Sequence, residues 1–179
     1  GTITKLEIFE DYAQAWIPTF VMQSHVKEIH IFDFFSGPGY DSQHIPGSPI
    51  RILAKIVEHL GHIMSQKTKI VLHMNEFEPT KKKQEKFELL KENCENYLIQ
   101  NPKLKYFLTI NFYNENAEDL FFKLIPTINR YPSLVYLDQN GVKFISKEYI
   151  NQLERLKTTD FLYFVSSSFF KRYGKTEEF

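Results

Sequence analysis

The residues with the most chemistry to place form one run, Asp33-Phe34-Phe35-Ser36-Gly37-Pro38-Gly39. An acid is followed closely by a hydroxyl and two glycines. Glycine carries no Cβ, so the backbone of such a loop can approach a ligand closely. The spacing is not the G-x-G-x-x-G dinucleotide fingerprint. The next helix start, Ser48-Pro49, also comes too late for a pyrophosphate to sit directly on its N-terminus. Two further acids stand where strands end. Glu76, with Glu78 as a close rival, follows Lys69-Ile70-Val71-Leu72-His73-Met74-Asn75. A carboxylate there accepts hydrogen bonds from ribose hydroxyls, or else primes the positive end of the following helix. Asp138 opens Asp138-Gln139-Asn140-Gly141. It stands either where a substrate approaches or at the start of a tight turn, since Asn-Gly is a strong turn dipeptide.

These residues need a scaffold, and the hydrophobic pattern supplies one. Residues 4–24 read as a helix with Leu6, Phe9, Ala13, Trp16, Ile17 and Phe20 on one face, and Pro18 predicts a kink or an early stop. Strands are expected at 29–33, 69–76, 106–112, 134–138 and 161–165. Between them come helices that start at Ser48-Pro49, with the Ser48 hydroxyl as cap, at Pro79, running to about Gln100, and at Ala117, running to Asn129 with Pro126 near its end. A last helix is expected from Ser146 to about Leu156. Short apolar strands alternating with amphipathic helices predict an α/β fold: a mostly parallel sheet of about five strands with helices on both faces. In such sheets ligands bind beyond the carboxyl ends of the strands, where the strand order reverses.

Four stretches resemble the three-Cys-motif partner proteins, the TcmP family, whose fold is similar to the Rossmann-like class I S-adenosylmethionine-dependent methyltransferases. They are Phe32-Asp33-Phe34-Phe35-Ser36-Gly37-Pro38-Gly39, Gly47-Ser48-Pro49-Ile50, Asn75-Glu76-Phe77-Glu78-Pro79 and Leu137-Asp138-Gln139-Asn140-Gly141. The first two are close to the family's D-x-F-x-G-P-G and G-S-P; the last two are looser. The resemblance implies S-adenosylmethionine as cofactor, with Asp33, Ser36, Gly37 and Gly39 around its methionine side. It further implies Glu76 at the ribose, Asn116 near the adenine, and Asp138 as the catalytic residue that positions or deprotonates the methyl acceptor. Gln139 and Asn140 stand where the family has proline and an aromatic, so stacking on a base, and with it nucleobase methylation, is not expected. The fold would normally continue past the fifth strand. The chain therefore reads either as one domain over 1–179 or as the N-terminal part of a longer protein.

Composition bounds the alternatives. Basic and acidic residues balance at 22 each, so no global field draws the chain toward nucleic acid. Nucleic-acid binding rests on Lys81-Lys82-Lys83 alone, which also reads as a solvated helix face. Cys94 is a lone cysteine and reads as a structural thiol. No leader and no apolar run long enough to span a bilayer is present, so the expected location is cytoplasmic, with no membrane. His59 and His62 share one helix at i, i+3, but no third ligand completes a metal site. Ser166-Ser167-Ser168 lacks the glycines of a nucleophile elbow, and Lys171-Arg172 reads as a solvated tail. Two functions remain in view. One is an S-adenosylmethionine-binding methyltransferase of unknown acceptor. The other is a degenerate methyltransferase-like scaffold acting through a protein partner encoded nearby, as in a phage-defence complex. The sequence leaves the oligomeric state open.

Overall fold

Strands that are apolar on both faces belong inside a sheet, and strands with mixed burial belong at its edges. The computed structural model obeys this rule; it describes residues 2–80, 84–138, 151–152, 154–156 and 158–164. Five strands run parallel: β1 (Glu28–Asp33), β2 (Lys69–Asn75), β3 (Leu108–Tyr113), β4 (Ser133–Leu137) and β5 (Thr159–Tyr163). Their order is β3-β2-β1-β4-β5. β4 is buried along its whole length and β1 over all but its first residue, whereas β3 and β5, at the two ends of that order, are mostly half-exposed. The fold is Rossmann-like α/β, with five parallel strands.

Helices cover both faces. α1 (Thr2–Val21), α2 (Ser48–Glu58), α3 (Leu60–Gln66) and α4 (Glu85–Gln100) pack on the face that presents Ile29, Ile31, Ile70, Leu72, Leu134 and Tyr136. α5 (Ala117–Arg130) covers the opposite face through Leu120, Phe121, Leu124 and Ile128, against Phe32, Val135 and Leu137. Alternate residues of β1 and β4 thus feed two separate cores, as the period of two along a strand requires.

Pro18 does not stop α1, which continues to Val21. A proline has no N–H to give the carbonyl four residues back. Here the Gln14 carbonyl is instead 3.1 Å from the Nε2 of His59, at the junction of α2 and α3. The histidine is thereby committed to α1, and among the described residues no group of three metal-ligating side chains occurs.

Several boundaries differ from expectation. Pro79 does not open α4; the helix begins at Glu85, and the Phe87 N–H in its first turn donates to the Glu78 carboxylate at 3.0 Å. Tyr106 closes a 3-10 helix, Pro102–Tyr106, rather than opening β3, which begins at Leu108. β5 lies two residues earlier than expected, at Thr159–Tyr163. α5 runs through Pro126 to Arg130. The helix expected from Ser146, the Lys81–Lys83 run, Gln139-Asn140-Gly141, the Ser166–Ser168 run and Lys171-Arg172 lie wholly or largely outside the described residues. No described helix is long and apolar enough to cross a membrane.

Candidate functional site

Strand register brings the acids together. Asp33 pairs with Met74 on one side and Tyr136 on the other, and Asn75 pairs with Tyr113. Asp33, Glu76 and Asp138 therefore stand along one carboxyl edge. β1 has β2 on one side and β4 on the other, so the strand order reverses beside Asp33. A cleft of about 380 Å³ opens at that point. The glycine loop (Ser36, Pro38, Gly39) and the returning segment from Tyr40 to Ser48 form one wall, and Leu6, Tyr136 and Asp138 form the other.

The loop is shaped by its two glycines. Gly37 and Gly39 both adopt positive φ, at 67° and 94°. Around Gly37 nothing lies where a Cβ would go. At Gly39 a Cβ would meet the Asn93 Cβ at 3.2 Å. Asn93, on α4, donates to the Pro38 carbonyl at 2.8 Å, and the Gly47 N–H donates to the Gly39 carbonyl at 2.8 Å. The loop is thus pinned from below by α4 and from the side by the chain entering α2.

Asp33 lies beneath the cleft rather than on its wall, with only 3 % of its surface exposed. Its Oδ1 accepts from the Phe35 N–H at 3.1 Å and its Oδ2 accepts from the Ser48 hydroxyl at 2.5 Å. The expected Ser48 cap is therefore corrected: the residue before it, Gly47, is the N-cap, Pro49 is the second residue of the helix, and no side chain caps the end. The hydroxyl turns inward to the Asp33 carboxyl, a buried acid that needs a donor. Burial pushes the Asp33 carboxyl from its usual 3.8 up to about 7, against the pull of its Ser48 and Phe35 hydrogen bonds.

Glu76 faces the loop. Its Oε2 accepts from the Gly37 N–H at 2.9 Å, and its own N–H donates to the Tyr113 carbonyl at 3.1 Å. Burial raises its carboxyl, opposed by the Gly37 amide. Of the two acids expected at this strand end, Glu78 serves the α4 terminus and Glu76 the glycine loop. Ser36 lines the cleft; its hydroxyl donates to the Asp33 carbonyl at 3.1 Å and its N–H to the Asn75 carbonyl at 2.9 Å. Asn116 stands apart from the cleft wall: its side-chain oxygen caps α5, accepting from the Glu118 N–H at 2.9 Å and the Asp119 N–H at 3.3 Å.

Asp138 is on the cleft wall, and it already has a partner. Lys5, from the first turns of α1, places its ammonium 2.6 Å from Oδ1. The Tyr136 hydroxyl reaches toward Oδ2 at 3.5 Å, while its ring stacks on Phe9 with centroids 4.1 Å apart. Cys94 is buried, with burial pushing its thiol up to about 12, so it is no nucleophile at neutral pH.

Reading the sequence alone misses Lys5, Leu6, Tyr136 and Asn93. Tyr136 carried a faint signal, a hydroxyl in an otherwise apolar strand just before an acid. Nothing local marks Lys5, which lies 133 positions from its partner.

Among the described residues no Lys, Arg or His lines the cleft, whereas the carboxylates of Asp41 and Asp138 do. Asp41 is turned to its own loop, accepting from the Gln43 and Ile45 N–H groups. Both wall carboxylates are thus engaged, Asp138 by the Lys5 ammonium and Asp41 by its own loop. Compared with protein-family models, with curated proteins and with solved structures, the chain finds no match.

Proposed function

We propose that the cleft binds S-adenosylmethionine and that the chain is a methyltransferase-like protein whose methyl acceptor is unidentified. The observation that carries this reading is the cleft where the strand order reverses, at the carboxyl ends of β1 and β4, walled by a glycine loop that Glu76 holds and, among the described residues, lined by no cation. A sulfonium cofactor brings its own positive charge and needs no phosphate site. The resemblance to the TcmP family assigns the same loop to the methionine end of that cofactor. Glu76 is not among the residues that line the cleft; one of its carboxylate oxygens holds Gly37, and the resemblance assigns the other to the ribose hydroxyls. Methyl transfer requires the acceptor beside the sulfonium, in line and dry. Asp138 stands on the wall where it would orient that acceptor or take its proton. Calorimetric titration with S-adenosylmethionine and with S-adenosylhomocysteine tests the reading. Micromolar binding that is lost in Glu76→Ala is expected, and no heat at millimolar ligand rejects it.

One observation favours a second reading, a scaffold that has kept the shape and lost the chemistry. The Lys5 ammonium already occupies the carboxylate that catalysis would use. In that case the chain works through a partner protein. Binding of S-adenosylmethionine without methyl transfer in the presence of that partner supports this version.

A further inference from the structure

Away from the cleft, on the face that α5 covers, four titratable side chains join hands across three strands. Glu28 and His30 sit two residues apart on β1, with Glu28 Oε1 2.8 Å from His30 Nε2. His30 Nδ1 lies 2.9 Å from His73 Nε2 on β2. His73 Nδ1 lies 2.9 Å from the Tyr113 hydroxyl on β3. Both imidazoles are buried, at 4 % and 6 % exposure. Tyr131 stacks on His30 with centroids 4.4 Å apart, and Phe32 stacks on His73 at 4.2 Å.

Donor and acceptor rules fix every hydrogen in this chain. An ionised carboxylate only accepts, so His30 carries its proton on Nε2. In a neutral ring its Nδ1 is then bare and must accept, so His73 carries its proton on Nε2 as well. His73 Nδ1 is bare in turn, and the Tyr113 hydroxyl donates to it. All three donors point the same way, from β3 toward Glu28. The pattern also has one complete reversal. A proton arriving at the Tyr113 oxygen lets Tyr113 pass its own proton to His73 Nδ1, and His73 pass its Nε2 proton to His30 Nδ1. Three N–H or O–H bonds form and two break, for a net gain of one proton. His73 ends neutral in the other tautomer. His30 ends as an imidazolium against the Glu28 carboxylate. A second proton has no place, because two N–H groups would then face each other across the bond between the rings.

We infer that Glu28, His30, His73 and Tyr113 form a relay that takes up a single proton at the carboxyl edge of the sheet and stores it on His30, reversing every hydrogen bond between the rings and the tyrosine. The inference does not depend on what the cleft binds. Burial lowers both rings, His73 to about 3, while Glu28 opposes this at His30, which agrees with His30 as the resting place. Among the described residues the surrounding charges are few; Lys69 of β2 stands opposite Glu28 in the strand register. Arg130, at the end of α5, lies over the Tyr131 ring at 5.4 Å, and Glu115, which follows β3 and acts on Tyr113, is paired with Lys123 of α5 at 2.8 Å. β4 brings only the uncharged Ser133 alongside His30. Tyr113 also holds the Glu76 N–H through its carbonyl, so proton entry lies beside the residue that anchors the glycine loop.

Nitrogen-15 NMR of the histidine rings tests this, with exposed His25 as a reference in the same spectrum. At neutral pH both buried rings are expected as the Nε2–H form. On acidification a single event is expected, in which His30 becomes doubly protonated while His73 moves its proton from Nε2 to Nδ1 at the same pH. Tyr113→Phe removes the acceptor that the reversed state needs and lowers that pH by roughly one unit. Should Tyr113→Phe fail to fold, Glu28→Gln removes the charge that holds the imidazolium and lowers the event by roughly one unit; its amide donates as well as accepts, so the neutral-pH tautomers are read in the parent protein. An Nδ1–H ring at neutral pH, two separate events, or an event indifferent to the substitution overturns the relay.

Discussion

Two aspartates flank the point where the sheet reverses its order, and they live in opposite chemical worlds. Asp33, at the end of β1, is met by a hydroxyl and a backbone amide, and its burial favours the protonated form. Asp138, just past the end of β4, is met by a lysine ammonium and sits on the cleft wall. The strand register sets their places, but the partner sets their chemistry. At Asp33, neutral dipoles compensate a buried charge only partly. The buried acid thus builds the loop, and the wall acid lines the cleft in a pair with Lys5.

Replacing Asp33 by Asn should break this contrast most visibly. The unfolded acid ionises near 3.8 and the folded one near 7, so between those values the unfolded state holds fewer protons and folding loses stability as pH rises. The gap corresponds to on the order of 4 kcal/mol at pH 7. Asn keeps an acceptor for Phe35 and offers a donor to Ser48 without the charge. The stability difference between Asp33→Asn and the parent, from urea unfolding, should therefore widen from pH 4 to pH 7 in favour of the variant. His30 and His73 act in the other direction. Their lowered folded values give stability that is full above 6.5 and is lost as pH falls, so the difference between proteins, not the parent curve alone, isolates Asp33.

Gly39→Val attacks the loop that Asp33 supports. It forces a branched side chain into left-handed backbone and onto Asn93, and should cost about 3 kcal/mol and abolish ligand binding in calorimetry. Gly37→Ala meets open space and should cost only about 1 kcal/mol, the backbone penalty by itself. Ser48→Ala leaves the buried carboxyl short of a donor and should lower stability by roughly 1–3 kcal/mol while pushing the Asp33 carboxyl higher still. The smallest effect on stability belongs to the other acid. The Lys5–Asp138 pair is partly exposed, so Lys5→Met should change unfolding by less than about 1 kcal/mol. It should nevertheless tighten binding of S-adenosylmethionine, because the freed carboxylate faces the cleft.

The central strands and the glycine loop were legible because burial on both faces leaves an uninterrupted apolar run, and because a loop at positive φ calls for glycine. The end of β1 could be placed for the same reason. Ser48 misled because Ser-Pro at a helix start looks the same whether the hydroxyl caps the helix or turns inward. Pro79 misled in a similar way: it suits a first helical turn, yet α4 waits until Glu85, where the Glu78 carboxylate reaches its amides. The histidine relay was invisible as spacing, since His30 and His73 meet only once β1 and β2 take their register. Lys5 and Asp138 met only in three dimensions.

The α1 helix leaves the ribosome ahead of every strand, but its duties are not all discharged at once. Its pairing with α2, through Glu10 and Arg51, is available as soon as α2 emerges. Its stacking of Phe9 on Tyr136 and its grip on Asp138 must await β4. At about 5–20 residues per second that is a delay on the order of ten seconds. A nascent chain halted before β4 can therefore possess a docked first helix and still lack the Tyr136 and Asp138 wall of the cleft, which closes late in translation, after the core beneath it has begun to set.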